Sequence, residues 1–169
     1  MELTIEVLQP NIIEIRDATG LSQENFALLC EFSRSTLTNI ENGKSLPSTT
    51  TINKISGFTN IGLEKITKRD FIPPINLREK LQKKYSNDPT KSVLLEQVPS
   101  VPYIIKYRLL KTTFLDSFRE RLEILTYIKN KYGWEINPNT LTTNLKRLNN
   151  KLIIVPNPKH NKGYVYKKL

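Results

Sequence analysis

The chain has 169 residues, 38% hydrophobic and 25% charged, with 26 Lys plus Arg against 16 Asp plus Glu and a formal net charge of +10. That length holds one or two small domains, and a single cysteine excludes a disulfide scaffold. No apolar run spans a bilayer and no secretory signal is visible at the N-terminus, so the expectation is a cytoplasmic protein whose positive charge favours a polyanionic partner.

Taken in chain order, Ile12, Ile13 and Ile15 with Arg16 predict a first helix that runs to Gly20. Ser22 is a natural N-cap, and Phe26, Ala27, Leu29 and Cys30 then recur at helical spacing over Gln23 to Cys30. After Glu31 and Phe32, Ser33 caps the next helix. Its Leu37 and Ile40 point inward, Arg34, Ser35, Thr38 and Asn39 point outward, and Gly43 ends it. Two short amphipathic helices across a tight turn predict a helix-turn-helix. In isolation its outward polar set reads as solvated surface. On a helix presented to a major groove, the same short side chains match the donor and acceptor pattern of base edges.

The flanking sequence favours the second reading. Pro47 and Ser48 start a fourth helix with Ile52, Ile55 and Phe58 at core spacing, and a shorter fifth follows around Leu63 and Ile66. Five helices between Pro10 and Thr67, with SQ, ENGK and LPS in register, resemble the DNA-binding domain of the lambda-type repressor and Cro family. The resemblance implies a homodimer on double-stranded DNA at a partly palindromic site, with the second motif helix in the major groove. It puts Arg34, Ser35, Thr38 and Asn39 at base-reading positions and Gln23, Asn42 and Lys44 at phosphate contacts. It also makes Arg16 and Glu41 a structural ion pair between the first and third helices. Glu31 departs from the family, which usually has glycine at this left-handed turn position; a side chain there costs about 1 kcal/mol. Cys30 falls on a core position and reads as a packed, reduced thiol.

The charge is unevenly spread. Residues 1–69 hold seven Lys plus Arg against eight Asp plus Glu, net −1, whereas 70–169 are net +11. Phosphate attraction supplies most non-specific affinity for DNA, so either a dimer gathers the few local cations at the groove or, the favoured expectation, the second half touches DNA as well. Around Phe71-Ile72-Pro73-Pro74 the chain breaks, because consecutive prolines lack amide donors. The expected division is therefore a DNA-binding domain at 1–69, a linker with short helices at 70–102, and a second domain at 103–169. Leu77 to Tyr85 and Lys91 to Val98 read as the linker's helices, serving either a dimer interface or a bridge.

In the second domain, Phe114, Phe118, Leu122, Leu125 and Ile128 predict an apolar stripe on a long helix ending near Gly133. Asn137-Pro138 then gives a cap and first-turn proline, followed by Leu141, Leu145 and Leu148. Leu152 to Val155 and Tyr164 to Tyr166 read as strands of a hairpin with a basic tip. Together these resemble a winged helix, although the usual middle helix fits only if the segment from Tyr103 to Gly133 breaks to supply it. Residues 106–169 hold fourteen Lys plus Arg against four Asp plus Glu. Thr142, Thr143, Asn144, Lys146, Arg147, Lys151, Lys159 and Lys162 form the expected second DNA-binding surface.

No nucleophile with a base, glycine-rich phosphate loop or metal-ligand cluster stands out, so neither an enzyme nor a cofactor is expected; His160, the only histidine, reads as an exposed turn residue. The fold expected is mainly α: a five-helix lambda-repressor-like domain plus a winged-helix-like α+β domain with a β-hairpin. The function expected is a sequence-specific, dimeric transcriptional repressor. The alternative is an antitoxin-like or adaptor regulator whose C-terminal domain binds a protein partner or dimerises.

Overall fold

Serine caps organise the N-terminal part of the computed structural model, which describes residues 3–160 and 163–169. Ser22 accepts from the Asn25 N–H at 3.1 Å, Ser33 from Thr36 at 3.0 Å and Ser48 from Thr51 at 3.1 Å. Each satisfies an amide that the first helical turn leaves unpaired. They start α2 (Gln23–Leu29), α3 (Arg34–Glu41) and α4 (Thr49–Thr59), which follow α1 (Ile5–Thr19) and precede α5 (Leu63–Ile66). Leu8, Ile12 and Ile15 of α1, Phe26 of α2, Leu37 and Ile40 of α3, and Ile55 of α4 form a core with no solvent exposure.

The first helix begins at Ile5, earlier than Ile12, and carries Pro10 inside it. Its N-terminal part is fastened to the ends of α3 and α5: Gln9 Nε2 donates to the Glu41 carbonyl at 2.8 Å, and Asn11 Nδ2 donates to the Ile66 carbonyl at 2.7 Å. Residues 70–100 pack with these helices in one compact unit, Met1–Ser100. They contribute α6 (Leu77–Lys84) and α7 (Pro89–Glu96). Arg78 is buried and donates to the Thr19 carbonyl at 2.7 Å and the Gln97 carbonyl at 2.7 Å, tying α6 to the end of α1.

The second unit is Val101–Leu169. It opens with a short α8 (Val101–Tyr103) that continues through π-helical and 3-10 turns to Lys111. The expected long helix to Gly133 is broken: Phe114–Asp116 is a 3-10 turn, Arg119–Glu120 forms β1, and only Arg121–Tyr132 is helical, as α9. The expected stripe breaks with it, since Phe118 is 45% and Leu122 is 71% exposed. Of that stripe Ile128 is in the core as expected, and Ile124 joins it there. Next come α10 (Pro138–Arg147), β2 (Leu152–Pro156) and β3 (Tyr164–Lys168). The sheet is antiparallel in the order β1-β3-β2, with Arg119 opposite Tyr166 and Ile154 opposite that same residue from the other side. The molecule is thus mainly helical with one small sheet. Among the described residues, no helix is long and apolar enough to cross a membrane.

Candidate nucleic-acid interface

The turn between α2 and α3 is built on Glu31, whose φ of 60° is left-handed, as its place in the motif requires. The Lys54 ammonium donates to its carbonyl at 2.6 Å, a contact that pins the turn from α4. Beside it, Cys30 is buried, and burial raises its pKa, so the thiol stays protonated and inert.

From that turn α3 runs with Leu37 and Ile40 fully buried and Arg34, Ser35 and Asn39 exposed. Thr38 is half-buried and donates its hydroxyl to the Arg34 carbonyl at 3.0 Å. Ser35 shares a hydrogen bond with the Ser33 hydroxyl at 2.8 Å. Arg34 and Asn39 have no side-chain partner among the described residues. Asn42 and Lys44 are exposed just past the helix, where Gly43 takes a φ of 70°.

Beneath this face, Glu41 gathers two partners. Arg16 Nε lies 2.5 Å from Glu41 Oε1, and Gln23 Nε2 donates to Glu41 Oε2 at 2.6 Å. Burial alone would lower the Arg16 pKa; its hydrogen bond to Glu41 and the charges of Asp17 and Glu41 outweigh that and raise it. The three side chains join α1, α2 and α3, so α3 is held by a charged, mostly buried clasp. Gln23 retains one amide hydrogen beyond it.

A short capped helix, a left-handed turn, and a second helix with a buried apolar side and an open polar side define a helix-turn-helix DNA-binding domain. Residues 12–66 match the family model described as Helix-turn-helix, and the domain is of the lambda-repressor-like kind. The match spans about a third of the chain. No curated protein and no solved structure matches the chain.

The second unit carries the rest of the expected surface. Unit 1–100 holds twelve Lys plus Arg and twelve Asp plus Glu, whereas 101–169 holds fourteen against four, so the second unit has the whole net charge of +10. Its acids lie in pairs: Asp116 with Lys168, Glu123 with Arg119, Glu135 with Lys129, and Glu120 at 3.9 Å from the His160 imidazole. Lys146, Arg147, Lys151 and Lys159 are exposed and have no ion-pair partner among the described residues. Lys146 Nζ stands 4.7 Å from the Tyr164 ring centroid, so α10 is linked to β3 on this side. Lys159 sits in a turn where Asn157 Oδ1 accepts its backbone N–H at 2.9 Å. Lys162 lies outside the described residues.

On α10 itself, Thr142, Thr143 and Asn144 turn back on their own helix, donating to the carbonyls of Pro138, Asn139 and Thr140 at 3.0, 3.0 and 2.8 Å. Thr142 and Asn144 are also half-buried. Asn139 and Thr140, absent from the sequence-based set, are exposed in the first turn. Counting from the buried Leu141 and Leu145 puts residues 139, 143, 146 and 147 on the opposite face, a signal the sequence did contain.

Proposed function

We propose that this protein is a sequence-specific transcriptional regulator, a repressor that acts as a dimer on a partly palindromic site. In this reading α3 enters the major groove, Arg34, Ser35, Thr38 and Asn39 meet base edges, and Gln23, Asn42 and Lys44 meet phosphates. The observation that carries it is the open polar face of α3, with Arg34 and Asn39 unpartnered above a buried clasp. A helix held this firmly presents its side chains at little entropic cost on binding.

The second unit is proposed to be winged-helix-like. Support comes from α9, α10 and a hairpin whose strand β3 also pairs with β1. Its cations Lys146, Arg147, Lys151 and Lys159, none in an ion pair among the described residues, would add phosphate contacts to the few made by the net-neutral first unit. A competing reading, in which this unit binds protein or dimerises, is favoured by the exposure of Phe118 and Leu122.

Duplex binding by the full chain at two salt concentrations tests the proposal. The expected result is a preferred sequence, with a steep salt dependence that falls when Lys146 and Arg147 become alanine. Equal affinity for all duplexes would overturn sequence reading, and an unchanged salt slope would move the second unit to a protein partner.

A further inference from the structure

We infer that the outer face of α10 reads base sequence through Asn139 and Thr143, with adenine preferred opposite Asn139, so that each chain recognises a bipartite target. This rests on the proposed contact of the second unit with DNA and goes beyond it, because phosphate contacts alone position a protein without specifying a sequence.

The polar side chains of α10 are not equivalent. Thr142 and Asn144 flank the core side, half-buried, and spend donors on the Pro138 and Thr140 carbonyls. Asn139 is exposed, and its side-chain amide makes no hydrogen bond among the described residues. It therefore offers a donor and an acceptor together, the pair that matches the N6 and N7 edge of adenine in a bidentate contact. Thr143 lies one turn further along the same face, exposed, with its hydroxyl hydrogen given to the Asn139 carbonyl at 3.0 Å. Its acceptor lone pairs and methyl group remain for a neighbouring base pair.

Charge selects the occupant of this face. One further turn brings Lys146 and Arg147, both exposed and without ion pairs among the described residues, while Asp116, Glu123 and Glu135 are occupied by Lys168, Arg119 and Lys129. A helix face that runs from an open amide through a threonine to two cations outside any ion pair complements base edges bordered by phosphates.

Selection of bound duplexes from a random pool, with the full chain and its variants, tests the inference. Wild type is expected to enrich two sequence elements. Asn139→Ala is expected to lose roughly tenfold preference at one A·T position and to leave the other element unchanged. Asn139→Gln, which keeps the amide on a longer arm, guards against loss of fold and is expected to shift that preference. If both variants enrich the wild-type pattern while Lys146→Ala/Arg147→Ala weakens all binding, base reading by α10 is overturned and phosphate contact stands. If the double variant binds with unchanged affinity and salt slope, the DNA contact of the second unit fails, and the inference with it.

Discussion

Arg16 and Glu41 join the first and third helices, Nε to Oε1 at 2.5 Å, with side chains only 12% and 7% exposed. A pair this buried is destabilising to break, because removal of one partner leaves the other charge without compensation. In Glu41→Ala, Arg16 keeps Asp17 at 3.1 Å, so the expected loss is about 3 kcal/mol, near the lower end for a broken buried pair. Urea unfolding followed by far-ultraviolet circular dichroism measures it. Trp134, the only tryptophan, lies in the second unit and supplies an internal control whose fluorescence transition should not move.

Glu31→Gly should stabilise the first unit. Its φ of 60° strains any side chain by about 1 kcal/mol, and glycine removes that strain while giving back part of it as unfolded-state entropy. The Lys54 contact is to the Glu31 carbonyl and survives the change. The same unfolding experiment should show a small rise in midpoint; a fall would mean that the turn draws stability from the Glu31 side chain.

Neutralising cations in the second unit should act on all sequences alike. Lys151→Ala/Lys159→Ala is expected to reduce the slope of log K against log salt by about two, if each cation meets one phosphate. Fluorescence anisotropy on a specific and a scrambled duplex reads this directly. Loss confined to the specific duplex would assign these lysines to base reading.

The start of α9 gives a pH dependence. Glu123 accepts the Glu120 backbone N–H at 2.8 Å and, with help from Arg119, is held below the usual carboxylate range. A depressed folded pKa stabilises above the unfolded value near about 4.3 and is lost as pH falls through the folded one. The difference in Tm between wild type and Glu123→Gln, read by Trp134 fluorescence, should therefore shrink between about pH 7 and about pH 3. A constant difference would show that shape, rather than charge, makes this cap.

What the sequence displayed and what it hid have a common cause. Ser22, Ser33, Ser48 and Asn137 act within their own first turns, so they were legible, as were Leu141 and Leu145 through their spacing. A break between Tyr103 and Gly133 is allowed by the sequence, but its place after Lys111 is not legible there. Phe114, Phe118 and Leu122 keep a helical period across it by coincidence, while the decisive event is the pairing of Arg119 and Glu120 with Tyr166 and Val165, far along the chain. Arg78 was hidden for the same reason: nothing local marks an arginine whose partners are carbonyls at Thr19 and Gln97. On α3 the polar face was visible as a set. Only the structure separates Arg34 and Asn39, left open, from Thr38 and Ser35, which bond within the motif.

The central claim is that α3 selects the target. The measurement that meets it most directly is enrichment of genomic duplex fragments by the full chain, compared with Arg34→Ala/Asn39→Ala. The double variant is expected to lose the enriched sequence, at about 1–3 kcal/mol for each reader, while retaining salt-dependent binding to all fragments. Enrichment of the same fragments by the double variant would contradict the assignment of α3 as the reading helix.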